Sequence, residues 1–167
     1  MTETTHLVPA AGGRRVHFRA LGTRYVVPAD TTEGAFAIVE HDLAPRSLGS
    51  PMHTHEREDE ISHVTSGRLG VQIGDEVLRA GPGDTVIKPR GIAHAFWNPG
   101  DEPVRFLEVI TPAGFEGYFA DVEPLLSGPG APDAGALGAV MARYALAMDM
   151  GSVPRLVEAH GLTAPAA

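Results

Sequence analysis

A chain of 167 residues, 43% hydrophobic and 20% charged, has the length and composition of one soluble globular domain. A formal net charge of −8 disfavours nonspecific attachment to nucleic acid or to an anionic membrane, so neither is expected as a partner. The absence of cysteine excludes disulfides, thiolate metal sites and a thiol nucleophile.

Residues 1–19 show no basic start running into an apolar stretch, and no apolar run approaches the length of a membrane span. A cytoplasmic location is the default expectation. From there the chain is punctuated by Gly and Pro. The runs 24–27, 36–43, 61–65, 68–73, 76–80, 84–88, 94–98 and 104–110 are rich in β-branched and apolar residues and read as strands. Turn signals separate them: Ser66-Gly67, Gly74-Asp75, Gly81-Pro82-Gly83-Asp84, Pro89-Arg90-Gly91 and Pro99-Gly100-Asp101. Short strands at this spacing predict an antiparallel sandwich or barrel over 20–120. Residues 127–135 read as a linker. Leu137, Val140, Met141, Tyr144 and Met148 then recur at helical spacing, with Asp133 placed to cap the start and Gly151 the end. A second short helix follows Ser152, with Pro154 in its first turn and Gly161 past its end. These C-terminal helices, within 121–167, are expected to lean on the β domain. Lys88 is the only lysine among 13 basic residues and reads as compositional bias.

The stretch "MHTHEREDE" (52–60) carries the chemistry. On an extended strand His53 and His55 project to one face, about 6–7 Å apart at their Cα atoms, and can converge on one ion. Glu60 has the opposite parity, so the charged run between must turn before a new strand aims Glu60 back. His94, after the tight turn at Pro89 and Gly91, is the fourth donor. Three imidazoles and a carboxylate suit one divalent transition metal ion (Fe, Ni, Mn, Co, Cu or Zn) better than Ca or Mg. Glu58 and Asp59 are competing carboxylates, read instead as a solvated turn. His63 should face away from the ligands, and His6, His17, His41 and His160 are not assigned to the ion.

At these residues the sequence resembles the cupins. The family's first motif, G-x5-H-x-H-x3,4-E-x6-G, is matched by His53, His55, Glu60 and Gly67. Its second, G-x5-P-x-G-x2-H-x3-N, is matched by Gly83, Pro89, Gly91, His94 and Asn98. One position departs: Gly49 stands three residues before His53, where the motif has five. The resemblance implies an all-β double-stranded β-helix, a jelly-roll-like barrel with the metal inside, and frequent homodimers.

Inward parity from Glu60 selects Ser62 and Val64 for the pocket, and from His94 it selects Phe96 and Asn98. Met52 and Phe115 complete the candidate pocket set. Ser62 offers a substrate hydroxyl, or is a core serine bonded to backbone. Phe96 reads as a pocket wall and Asn98 as a turn-holding amide. Phe115, Tyr118 and Phe119 either line a mouth or pack in the core. Trp97 faces outward, under a C-terminal helix or at a dimer interface. Arg90 either reaches an anionic substrate or is solvated.

The spacing between His55 and Glu60 is similar to that of quercetin dioxygenase-like cupins. That resemblance implies a dioxygenase opening a flavonol or another enol- or phenol-bearing small molecule with O2. Glu60 would bind the metal and also accept the substrate proton. The alternatives are a non-oxidative isomerase or polyketide cyclase using the same ion as a Lewis acid, and a cupin that binds a small molecule without turnover.

Overall fold

The computed structural model describes residues 7–128 and 130–163. His6 lies outside them. Among the described residues eleven strands form two antiparallel sheets, the layered β architecture that the turn-punctuated pattern predicts, although the strand at 15–18 lies in the segment 1–19, outside the predicted β domain. Strands β1 (Arg15–Phe18), β2 (Leu21–Val27), β3 (Ala37–Leu43), β10 (Val104–Thr111), β5 (Asp59–Ser66) and β8 (Thr85–Lys88) make a six-stranded sheet in that order. The second sheet orders β11 (Leu146–Asp149), β4 (Met52–His55), β9 (His94–Trp97), β6 (Leu69–Ile73) and β7 (Glu76–Ala80). Three α-helices, α1 (Gly117–Leu126), α2 (Ala134–Arg143) and α3 (Ser152–His160), all lie in the C-terminal third. This is the jelly-roll architecture with C-terminal helices that the sequence implies. Among the described residues no helix is long and apolar enough to cross a membrane.

The inner faces alternate as a half-buried strand should. In β10, Val104, Phe106, Glu108 and Ile110 are buried while the residues between them are less so. One core gathers Val39, Leu43, Val64, Leu69, Val71 and Phe106 from both sheets. On the other face of the six-stranded sheet, Val27, Ile38, Val109, Ile61 and Ile87 stand opposite one another across five strands. Such cross-strand β-branched pairs each stabilise a sheet by roughly 0.2–1 kcal/mol.

The C-terminal part departs from the sequence reading in three places. Helix α1 replaces an unassigned stretch, burying Tyr118, Phe119 and Val122. The single helix expected through Met148 ends at Arg143, because Ala145 turns to a left-handed φ of 48°. The chain then pairs with β4 as β11, which satisfies the backbone groups of an otherwise open edge. Gly151 accordingly precedes α3 instead of ending α2. Other expectations hold. Asp133 accepts from the Ala136 N–H at the start of α2, and Gly161 closes α3 with φ 61°. Trp97 faces outward and stacks on His160 of α3, centroids 3.9 Å apart.

Candidate metal centre

Both histidines of β4 lie on its inner face. The register sets His53 opposite His94 on β9, and Glu60 on β5 opposite Lys88 on β8. The three imidazoles therefore come from the five-stranded sheet and the carboxylate from the six-stranded one. One ligand atom from each of His53, His55, Glu60 and His94 lies within 4.8 Å of all the others, and all four residues are buried. Gly49 tucks the chain against β9 just before these ligands. Its N–H donates to the Phe96 carbonyl at 2.9 Å, and a Cβ there would stand 2.1 Å from the Phe96 ring. The departure from the motif is thus a close approach of two strands.

The protonation of the rings follows from their partners. Nδ1 of His53 is 2.9 Å from the Pro51 carbonyl, and Nδ1 of His94 is 3.1 Å from the Ile92 carbonyl. A carbonyl only accepts, so each neutral ring carries its proton on Nδ1 and presents a bare Nε2. His94 Nε2 lies 3.2 Å from Glu60 Oε2, and His55 Nε2 lies 3.5 Å from Glu60 Oε1. Neither nitrogen of His55 has a hydrogen-bond partner. Lone pairs that converge in a buried place without a proton between them call for a cation. The nitrogen and oxygen donors fit a single divalent transition metal, as the sequence predicts.

Burial drives the His53 imidazole well below its usual range, with His94 and His55 adding to the effect. Burial likewise lowers His55 to about 4, against the pull of Glu60. Both rings are neutral at pH 7, the form that binds metal. Burial alone would raise Glu60, but the Lys88 ammonium outweighs it and holds the carboxyl well below its usual range.

Lys88 is the residue that sequence reasoning missed. Its Nζ donates to Glu60 Oε2 at 3.1 Å and to Glu108 Oε2 at 2.7 Å, and its side chain is 1% exposed. Ser62 Oγ donates to the same Glu108 oxygen at 2.8 Å. Ser62 therefore bonds neither backbone nor open pocket; it supports Glu108, its cross-strand partner. Burial raises Glu108 against the pull of Lys88, and the two carboxylates raise Lys88 despite its burial. Two signals were present: the sole lysine of the chain, and inward parity with Val86 in a strand that ends at the second motif's proline.

The remaining candidates are placed as follows. Phe115 stands edge-on to His55 with centroids 4.2 Å apart, and also packs in the core with Tyr118 and Phe119. Phe96 underlies Lys88, whose Nζ is 5.6 Å from the ring centre. Val64 is fully buried in the core. Met52 joins Trp97 and Leu156 under α3 and also borders the hollow beside His53. Asn98 holds a turn, donating to the Leu43 and Glu102 carbonyls and accepting from Gly100 N–H. His63 is exposed and bonds Thr85. Glu58 is not solvated: it is buried behind His55, Oε2 3.9 Å from that ring's Nδ1. Asp59 instead clamps Arg90, Oδ2 to Nη2 at 2.6 Å and Oδ1 to Nε at 3.1 Å. A hollow of about 500 Å³ opens beside His53, lined in part by Gln72, Ala93, Met148 and Arg155.

Comparison with known proteins agrees with this geometry. The cupin domain family matches residues 39–110, which include all four candidate ligands. Germin-like protein 3-7 of Oryza sativa subsp. japonica is 34% identical over 108 residues, covering 58% of this chain and 46% of the rice protein. The chain thus spans about half the length of that relative. Among solved structures, oxalate decarboxylase of Lactobacillus farciminis in its formate complex superposes with a TM-score of 0.54 at 19% identity, covering 60% of this chain and 31% of that one. KdgF from Halomonas sp. gives 0.52 at 21% identity, covering 59% and 84%. At these identities the two structures speak for the fold.

Proposed function

We propose, from the match of the cupin domain family to residues 39–110, that the chain is a cupin and a metal-dependent enzyme that rearranges or cleaves a small oxygen-bearing molecule without consuming O2. His53, His55, Glu60 and His94 would hold a divalent ion, which when bound would supply Lewis acidity toward a carbonyl or carboxyl of the substrate. The reading rests on the state of Glu60. In the O2-dependent scheme that carboxylate would bind the ion and also take a substrate proton. Here its Oε2 already accepts from the buried Lys88 ammonium, which depresses its basicity. The neighbouring carboxylates are also committed: Glu58 lies behind His55, and Glu108 behind Lys88. A bond shift of the isomerase or lyase type under the Lewis acid, with solvent water taking up and returning the proton, asks least of these side chains. Phe115 and the inner face of β11 wall the site with apolar groups and limit water. The hollow beside His53 is the approach for substrate.

Among the fold neighbours, one is by name an oxalate decarboxylase, a likeness that speaks for the fold and leaves the chemistry to experiment. The experiment is metal analysis of the purified chain, then turnover of a panel of hydroxy acids, keto acids, sugars, enones and flavonols, each with and without air. Equal conversion in both atmospheres is the expected result. Oxygen uptake in step with flavonol or phenol loss would restore the dioxygenase reading. Tight binding of a panel member with no product would leave a binding protein.

A further inference from the structure

We propose that Lys88 is a positioning residue that reserves one oxygen of Glu60, so that the carboxylate reaches the metal through Oε1 alone and a coordination position stays open for substrate. The inference rests on the metal-site reading above. Its ground is the asymmetry of the Glu60 carboxylate. Oε2 faces His94 Nε2 at 3.2 Å but is held by Lys88 Nζ at 3.1 Å, whereas among the described residues no lysine or arginine reaches Oε1, whose close neighbour is His55 Nε2 at 3.5 Å. Lys88 cannot drift from this post. Glu108 Oε2 holds its other side at 2.7 Å, Ser62 Oγ pins that oxygen at 2.8 Å, and Phe96 lies beneath.

A purely structural account of this cluster is weak on energetic grounds. Replacing a buried ion pair by apolar side chains of similar volume is often neutral or stabilising. The same carboxylate freed from Lys88 has both oxygens available and can chelate. With three imidazoles and one oxygen bound, an ion that prefers six ligands keeps about two positions for water or substrate; a chelating Glu60 would leave about one. Lys88 thus acts on what the metal can accept, through Glu60, without touching substrate.

The test uses the full chain loaded with Mn(II). Binding is read from loss of the free Mn(II) electron paramagnetic signal, and exchangeable waters on the bound ion from water-proton relaxation. The wild-type chain is expected to bind one Mn(II) with about two exchangeable waters. In Lys88→Met/Glu108→Gln, which removes the lysine without stranding a buried carboxylate, the relaxation enhancement per bound Mn(II) should fall to about half, with Mn(II) bound no more weakly. Glu108→Gln alone keeps Lys88 on Glu60 and should stay near wild type. One water in the wild type overturns the proposal, even if the double variant fails to fold. So does an unchanged enhancement in the double variant, and in both cases the metal site stands. A wild-type chain that binds no Mn(II), Co(II) or Zn(II) overturns the metal reading itself, and the role of Lys88 with it.

Discussion

Acid should destabilise the metal-free chain through His41, a histidine outside the metal cluster. Its Nδ1 sits 2.9 Å from Thr23 Oγ1, and its ring lies among Phe106, Phe119 and Phe96 at 5.1, 5.0 and 6.3 Å. Burial lowers its pKa from 6.5 to about 4; the Lys88 ammonium adds to the shift and Glu60 opposes it. Unfolded, the ring regains a pKa near 6.5 and takes a proton as the pH falls, while the folded ring stays neutral down to about 4. The unfolded state therefore binds more protons in that window. Stability is whole above pH 6.5 and is lost progressively down to about pH 4. Between pH 7 and pH 5 the loss from this group is about 2 kcal/mol, at about 1.4 kcal/mol per pH unit once the unfolded ring is charged. The perturbation is His41→Phe, which keeps a ring in the aromatic nest and removes the titration. It leaves Thr23 Oγ1 without its partner, a cost of about 1 kcal/mol that is equal at both pH values and so cancels. The assay is urea unfolding of chelator-treated wild type and variant at pH 7 and pH 5. His53 and His55 contribute acid lability to both chains alike. The wild type should lose about 2 kcal/mol more than the variant over this interval. An equal loss in the two chains would refute the assignment of His41 as a buried, neutral, acid-sensitive group.

His94→Ala should abolish stoichiometric metal, read by elemental analysis, and should remove the metal-dependent rise in melting temperature; a ligand at a hundred times its Kd stabilises the native state by about 2.7 kcal/mol. Gly70→Ala should destabilise by about 1–3 kcal/mol or more in chemical denaturation, because the new Cβ would stand 2.2 Å from Trp97 Nε1. His160→Ala removes the ring stacked on the only tryptophan, so it should change the intrinsic fluorescence and cost about 0.5–1.5 kcal/mol.

The strands and the four candidate ligands were legible because local signals carry them. Strand parity places His53 with His55, turn residues such as Pro89 and Gly91 end β8, and the two motifs name the donors. Three things were not legible, each for a reason of distance. β11 carries helical periodicity through Met148, and only the unpaired edge of β4, some ninety residues away in sequence, makes a strand the better solution. Glu58 looks solvated in a run of charges; its burial depends on where His55 and Phe115 pack. Lys88 lies opposite Glu60 only once β5 and β8 are paired. Ser62 was narrowed by parity to an inward polar group, but its partner lies on β10, a strand whose neighbours the sequence leaves open.

The division of labour between the sheets explains why the motifs fix the metal better than the chemistry. The five-stranded sheet supplies the nitrogen donors, and for His53 and His94 the proton position is set by the carbonyl two residues before the ring, at Pro51 and Ile92. That part of the site is built within each motif and follows from it. The six-stranded sheet supplies Glu60, and what Glu60 can do depends on Lys88, Glu108 and Ser62 from three different strands. An apolar residue at 88 would leave the ligand set intact and give the carboxylate back both its second oxygen and its basicity. Chains sharing these motifs can therefore differ in whether the glutamate is a ligand only or also a base. The inward-facing residue just before the second motif's proline is the position to read for that difference.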